Sequence, residues 1–304
     1  MLGELYDRAG MAWALHNPRV VRRRRRELAA DRAVAREVDW PRIALIVGLP
    51  KSGTTWFAQL AAQVPGYSVL RYEDPDLCTL LHDVCDDVFE SAPGDLLSIL
   101  KLHTRPTAEN RAVIERHAER VVVVYRDLRD VVVSRYFHVL AETAHRHHEQ
   151  YHSSSPEEGL RHSIELVAEE YCEWIRGWRA ICAADPDRYL ELRYEDLRAD
   201  PAGRLGQTLA HWGISLPAAQ LEEMVTAVAA RTKFGLDERS FRRGNLARKG
   251  IVGDWRNQFT PEHDQLFVER AGDLLVELGY ENDTAWARSS AAAARSTLSP
   301  PSSA

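Results

Sequence analysis

Apolar residues recur along this chain in two rhythms. In residues 43–47, Ile43-Ala44-Leu45-Ile46-Val47, and again in residues 121–125, they stand at consecutive positions; the first run ends at Gly48 and the second at a charged turn. Short unbroken runs of this kind predict strands buried on both faces of a sheet. Residues 189–194 read as a third short strand. Elsewhere the spacing is helical. Trp56, Leu60 and Val64 share one helical stripe, and further helices are expected over about 130–140, 160–183 and 217–230. Alternating strands and helices predict an α/β fold, a central parallel sheet flanked by helices on both faces. Ahead of it, Leu2, Tyr6, Met11, Trp13 and Leu15 predict one or two amphipathic helices within residues 2–38.

The 304 residues are 45% apolar and 28% charged, with 17 Gly and 14 Pro, which excludes collagenous, disulfide-dense and wholly disordered chains. The length suits two average domains or one large α/β domain. The longest apolar stretch, residues 43–49, is far shorter than the about 18 residues of a membrane span, and no apolar core follows a basic start as in a secretory signal. Four cysteines, Cys78, Cys85, Cys172 and Cys182, form no Cys-x-x-Cys pair, so they read as core or surface thiols and a cytoplasmic location is expected. A net charge of −6 speaks against general nucleic-acid binding but leaves room for a local basic pocket. The arginine run Arg22 to Arg26 is either a solvated helix face or a face that meets anionic lipid, a peripheral membrane contact. Residues 284–304, rich in Ala, Ser and Pro, are expected to be disordered.

The loop after the first strand carries the strongest chemical signal. Gly48-Leu49-Pro50-Lys51-Ser52-Gly53-Thr54-Thr55-Trp56 joins a buried strand to a helix, so successive backbone N–H groups, two threonine hydroxyls and a helix N-terminus converge where an anion can sit. Against the Walker pattern GxxxxGK[ST], Gly48, Gly53 and Thr55 fit, Thr54 takes the lysine's place, and the lysine stands at Lys51. A second strand-to-helix turn, Tyr125-Arg126-Asp127-Leu128-Arg129-Asp130-Val131-Val132-Val133-Ser134, offers a forked cation at a strand end and a hydroxyl on the next helix. A surface ion pair, or a Walker B strand ending at Asp127, is the competing reading of that segment.

The displaced-lysine loop resembles the PKSGTTW signature of sulfotransferases that use 3′-phosphoadenosine 5′-phosphosulfate (PAPS), in particular the cytosolic type. Three more segments carry the resemblance. Residues 125–134 are similar to that family's 3′-phosphate segment, and Arg248-Lys249-Gly250-Ile251-Val252-Gly253-Asp254-Trp255-Arg256-Asn257-Gln258-Phe259-Thr260 is similar to its RKGxxGDWxxxFT block. Leu100-Lys101-Leu102-His103 resembles its K-x-H element. Together these cover residues 43 to about 265. The resemblance implies one P-loop-type α/β domain over residues 41–283, behind an N-terminal helical extension over residues 1–40.

It also implies site roles. Lys51, Ser52, Gly53, Thr54 and Thr55 would hold the 5′-phosphosulfate, while Arg126, Ser134, Arg248, Lys249 and Gly250 would hold the 3′-phosphate. Trp56 and Phe234 would sandwich adenine, with Tyr194 and Thr232 at its edge. His103 would act as base on a hydroxyl of a small-molecule acceptor, and Lys51 would stabilise the leaving phosphate. Lys101 would help orient the sulfonate, and Ser134 would restrain Lys51. No metal is required by this chemistry.

Two features depart from the resemblance. The family's dimerisation pattern KxxxTVxxxE stands here as residues 256–265, with Pro261 where a backbone N–H would be used, which puts the dimer mode in doubt. His145, His147, His148 and His152 form a cluster open to three readings: a solvated loop or helix, a lining of the acceptor site, or a metal site. The alternative function is a P-loop kinase or NTPase that uses ATP, against which the missing lysine beside Gly53 counts.

Overall fold

The computed structural model describes residues 18–70, 81–233 and 250–287. Its elements fall into two compact units. The first takes in the described residues of Met1–Tyr125 and Gly177–Ala247, and the second those of Arg126–Arg176 and Arg248–Ala304.

In the first unit, five strands form one all-parallel sheet: β1 (Ile43–Gly48), β2 (Tyr67–Val69), β3 (Leu97–Leu102), β4 (Val121–Tyr125) and β5 (Tyr189–Arg193), in the order β2-β3-β1-β4-β5. β1 lies at the centre, with Ile46 opposite Lys101 on β3 and Val122 on β4. That position explains its sequence, since a strand covered on both faces buries Ala44 through Val47 completely. The two unbroken apolar runs are thus the two neighbouring central strands, and β5 matches the third expected strand. β2 and β3 were not expected. β3 reads Leu-Ser-Ile-Leu-Lys-Leu, in which Ser98 and Lys101 interrupt the apolar run, and β2 has only 3 residues.

Around the sheet stand α1 (Pro18–Glu37), α2 (Thr54–Ala61), α3 (Asp86–Glu90) and α4 (Ala108–His117). In the second unit α5 (Leu128–Ala141) and α6 (His148–His152) precede α7 (Pro156–Ala184), whose final turns belong to the first unit. α8 (Tyr194–Ala199), α9 (Pro201–His211) and α10 (Ala218–Lys233) follow β5, and α11 (Pro261–Glu277) closes the second unit. One face of the sheet, with Ile46, Ile99, Val122 and Val124, packs against Phe57 and Leu60 of α2, Leu205 and Leu209 of α9, and Met224 and Val228 of α10. Burial of this continuous apolar layer holds the strand ends, and the loops that leave them, in place.

The second unit has its own apolar cluster, Val133, Tyr136 and Val139 of α5 with Tyr151, Leu160 and Trp255. Arg129 is buried here between Trp255 and Trp286, 3.9 and 4.8 Å from their ring centroids, and pairs with Asp127 and Glu281. Trp286 also packs edge-on against Trp255 and Ala287 is buried, so residues 284–287 are folded where composition predicted a disordered tail. Residues 288–304 and 1–17 lie outside the described residues.

Candidate active site and donor-binding segments

The anion loop begins where β1 ends. Leu49 N–H donates to Val124 O, which holds the first loop residue against β4, and Ser52 N–H turns back onto Leu49 O. Lys51 adopts φ 70° and Gly53 φ 77°. For lysine the left-handed region costs roughly 1–2 kcal/mol, a strain that such loops retain where it aims backbone N–H groups at a ligand. Gly53 is required for space as well, because a Cβ there would lie 2.5 Å from the Tyr194 ring. It is also the N-cap of α2 and offers no side-chain cap, so the first N–H groups of that helix are left for another acceptor. Ser52 is fully buried, and its hydroxyl has no hydrogen-bond partner among the described residues. A tetrahedral anion with several acceptor oxygens fits that set of donors.

Tyr194, the first residue of α8, packs over this loop and meets Trp56 edge to face at 6.4 Å. Arg198 lies over the Trp56 ring, 5.4 Å from its centroid. The indole is half-buried between these neighbours.

His103 stands one residue past β3. Its ring Nδ1 is 2.5 Å from the Gly48 carbonyl oxygen, the last of β1, and so carries the proton and donates it. Nε2 is then the lone-pair nitrogen, and Lys101 Nζ donates to it at 3.3 Å. Burial, then the Lys101 charge, then His82 and Lys51 hold the His103 pKa down to about 3, against a partial upward pull from the Gly48 bond. The imidazole is neutral at physiological pH. The structure brings Lys51, Lys101 and His103 into one electrostatic neighbourhood.

The second unit builds the other segment. Arg126 follows β4 directly and is almost fully buried; its Nη2 donates to Asp130 Oδ2 at 3.0 Å and to Ile251 O at 2.7 Å. Asp130 also accepts Gly253 N–H at 2.8 Å and Trp255 N–H at 3.1 Å. One carboxylate thereby ties the arginine to the Gly250–Trp255 loop, in which Gly250 and Gly253 take φ 63° and 80°. Ser134 is half-buried on α5. Asp127, the residue a Walker B reading would give to magnesium, instead caps α5 and pairs through both oxygens with Arg129. Phe234, Arg248 and Lys249 lie outside the described residues, as does the side chain of Thr232 on α10.

Sequence reasoning gave no role to Asp130 or His82. Asp130 was legible as the i+4 partner of Arg126 on a helix start, whereas His82 is 21 residues from the group it binds and left no local signal. In the histidine cluster, His148 Nδ1 bonds Val139 O at 3.0 Å and His145 Nδ1 accepts His147 N–H at 3.1 Å. Among the described residues no three His, Cys, Asp or Glu are grouped to hold a metal ion. Pro261, which disturbs the dimerisation pattern, sits in the first turn of α11 behind a capping box made by Thr260 and His263.

The sequence pattern named Sulfotransferase domain matches residues 41–278, in both units, as one domain. Cytosolic sulfotransferase 3 of Arabidopsis thaliana is 26% identical over 257 residues, covering 78% of this chain and 79% of that protein. Sulfotransferase 1A1 of Bos taurus is 27% identical over 266 residues, covering 75% and 81%. The crystal structure of mouse sulfotransferase SULT7A1 complexed with PAP matches with a TM-score of 0.56 at 18% identity, over 75% of this chain and 82% of that one. Retinol dehydratase in complex with androsterone and inactive cofactor PAP matches at 0.53 and 16% identity, over 79% and 82%. These structures share the α/β fold with its parallel sheet. On the match over residues 41–278, the chain belongs to the sulfotransferase domain family.

Proposed function

We propose that this sulfotransferase moves the sulfuryl group of PAPS onto a hydroxyl of a small-molecule acceptor, with His103 as the general base and Lys51 as the charge-stabilising cation. PAPS, when bound, supplies an electrophilic sulfur on a phosphate leaving group. The fit rests on the donors of the anion loop, above all the buried Ser52 hydroxyl and the backbone N–H groups around Gly53. Ser52, Gly53, Thr54 and Thr55 hold the 5′-phosphosulfate; Arg126, Ser134, Gly250, Arg248 and Lys249 hold the 3′-phosphate. Trp56 and Phe234 take the adenine, with Tyr194 and Thr232 at its edge.

The observation that carries the reading is the tautomer of His103. With Nδ1–H fixed on Gly48 O, Nε2 is the atom that takes the acceptor's proton as its oxygen attacks sulfur. Lys51 holds the charge that grows on the bridging oxygen as the old sulfur–oxygen bond breaks, and Lys101 aligns the sulfonate. A base with a pKa of about 3 is weak, and cations are part of the cause. An anionic donor beside Lys51 and Lys101 offsets that cationic push and raises the basicity of His103, so the base strengthens when the donor is in place. An ATP-dependent kinase finds no support here: Thr54 replaces the Walker lysine and Asp127 is committed to Arg129.

Phenols, alcohols and natural products are the proposed acceptors, with a glycan or lipid-linked alcohol as the next class. Exposed Arg22, Arg25 and Arg26 on α1 support contact with an anionic membrane surface, and the small number of cysteines supports a cytoplasmic setting. The test is transfer of label from sulfur-labelled PAPS to a panel of these hydroxyl compounds. Label should move with the wild-type chain and not with His103→Ala, while both bind adenosine 3′,5′-bisphosphate (PAP). Transfer by His103→Ala at the wild-type rate would overturn the assignment of the base.

A further inference from the structure

His103 lies beyond the end of β3, where the β1–β3 ladder has stopped at the Val47–Leu102 pair. Main-chain groups at such a position need other partners when buried, because an unmet N–H loses its water without replacement. One residue meets both. His82 N–H donates to His103 O at 3.2 Å, and His103 N–H donates to the ring Nε2 of His82 at 3.1 Å. Arg105 N–H returns to His82 O at 3.1 Å, and His82 pairs with Thr104 as an isolated parallel bridge.

The ring bond fixes the state of His82. Nε2 accepts an N–H, so it carries no proton, and Nδ1, 3.1 Å from Asp83 O, is the donor. Its own segment is anchored in turn. Asn110 of α4 accepts Val84 N–H at 2.9 Å and donates to Asp83 Oδ1 at 3.0 Å and to Arg105 O at 3.1 Å. The chain is thereby clamped on both sides of His103.

We propose that His82 is the positioning residue of the base: its neutral ring accepts the His103 main-chain N–H and so keeps the His103 ring aimed at Gly48 O, with Nε2 presented to the acceptor hydroxyl. The inference rests on the reading of His103 as base. Loss of the bond would let the His103 main chain shift, stretch the contact to Gly48 O and allow the other tautomer, in which Nε2 carries the proton and cannot take one.

Two polar variants separate this role from simple packing. His82→Gln places an amide oxygen near the position of Nε2 and retains the acceptor. His82→Asn places its amide near Nδ1, retains the donor to Asp83 O and lacks the reach to His103 N–H. The readout is nitrogen NMR of histidine-labelled, PAP-bound protein, with the His103 signals assigned by their absence in His103→Gln. Wild type and His82→Gln should show a protonated Nδ1 and an unprotonated Nε2. His82→Asn should show a mixture of tautomers and exchange of the His103 amide proton at least tenfold faster. PAP affinity should stay within twofold in both variants.

Equal His103 spectra in wild type and His82→Asn, or equal disturbance in Asn and Gln variants, would overturn the proposal. This readout needs no acceptor, so it is separate from the transfer activity of His103→Ala, which tests the base itself. If His82→Asn fails to fold while His82→Gln folds with a wild-type His103 tautomer, amide exchange in His82→Gln decides: protection equal to wild type supports the acceptor role, and loss of protection overturns it.

Discussion

His103 and Arg126 each stand one residue beyond the carboxyl end of a buried parallel strand and are nearly withdrawn from solvent, yet the chain treats their charge in opposite ways. Around His103, burial first and then the charges of Lys101 and Lys51 keep the ring neutral. Arg126 instead has the carboxylate of Asp130 at 3.0 Å. The difference follows from the tasks proposed for them. A base must be able to gain a proton, so it is held uncharged among cations until an anion arrives. An anchor for phosphate must stay charged through the whole cycle, and a buried guanidinium without a carboxylate would be too costly.

His103→Ala should have the largest effect. Removing the base should lower kcat about 10²- to 10⁴-fold, with the PAP dissociation constant within twofold by calorimetry. Unchanged kcat would place proton removal elsewhere. Asp130→Ala strikes the opposite solution: it removes the carboxylate that pairs with Arg126 and accepts the N–H groups of Gly253 and Trp255, and breaking a buried pair costs about 3–5 kcal/mol. Urea unfolding should show that loss, with weakened PAP binding. Lys51→Ala should lower kcat about 10²- to 10³-fold by removing charge from the leaving oxygen, and it leaves the Arg126 segment intact.

The smallest effect is in the pH dependence of stability. Unfolded His103 takes up a proton near 6.5 and the folded residue near 3, so between these values the unfolded chain binds more protons. Stability therefore falls as pH drops through that window, by at most about 1.4 kcal/mol per pH unit from this residue. His103→Gln should show a shallower decline between pH 6.5 and 4. An identical slope would mean that the ring is not held neutral by its surroundings.

The central strands were legible because burial on both faces leaves an unbroken apolar run, as in Val121 to Val124. β3 was hidden because Ser98 and Lys101 interrupt its apolar run. Gly53 and the displaced Lys51 could be read as an anion loop from sequence, but the left-handed backbone of Lys51 leaves no residue signal there, and the Tyr194 ring over Gly53 comes from far along the chain. The same holds for His82, whose link to His103 forms only when residues 82–84 fold back along β3. Arg126 and Asp130 were both visible, four apart; what sequence could not show was that Asp130 also holds the loop at Gly253 and Trp255.

Calorimetry in metal-free buffer, with PAP and ATP titrated into wild type and Arg126→Ala, shows whether Arg126 and the anion loop hold a bisphosphate donor without metal. PAP should bind tightly and ATP much more weakly, and Arg126→Ala should lose at least tenfold in PAP affinity, as removal of a charge-assisted pair worth about 1.5–3 kcal/mol requires. Preference for ATP, or PAP binding that is indifferent to Arg126, would contradict the proposed donor site.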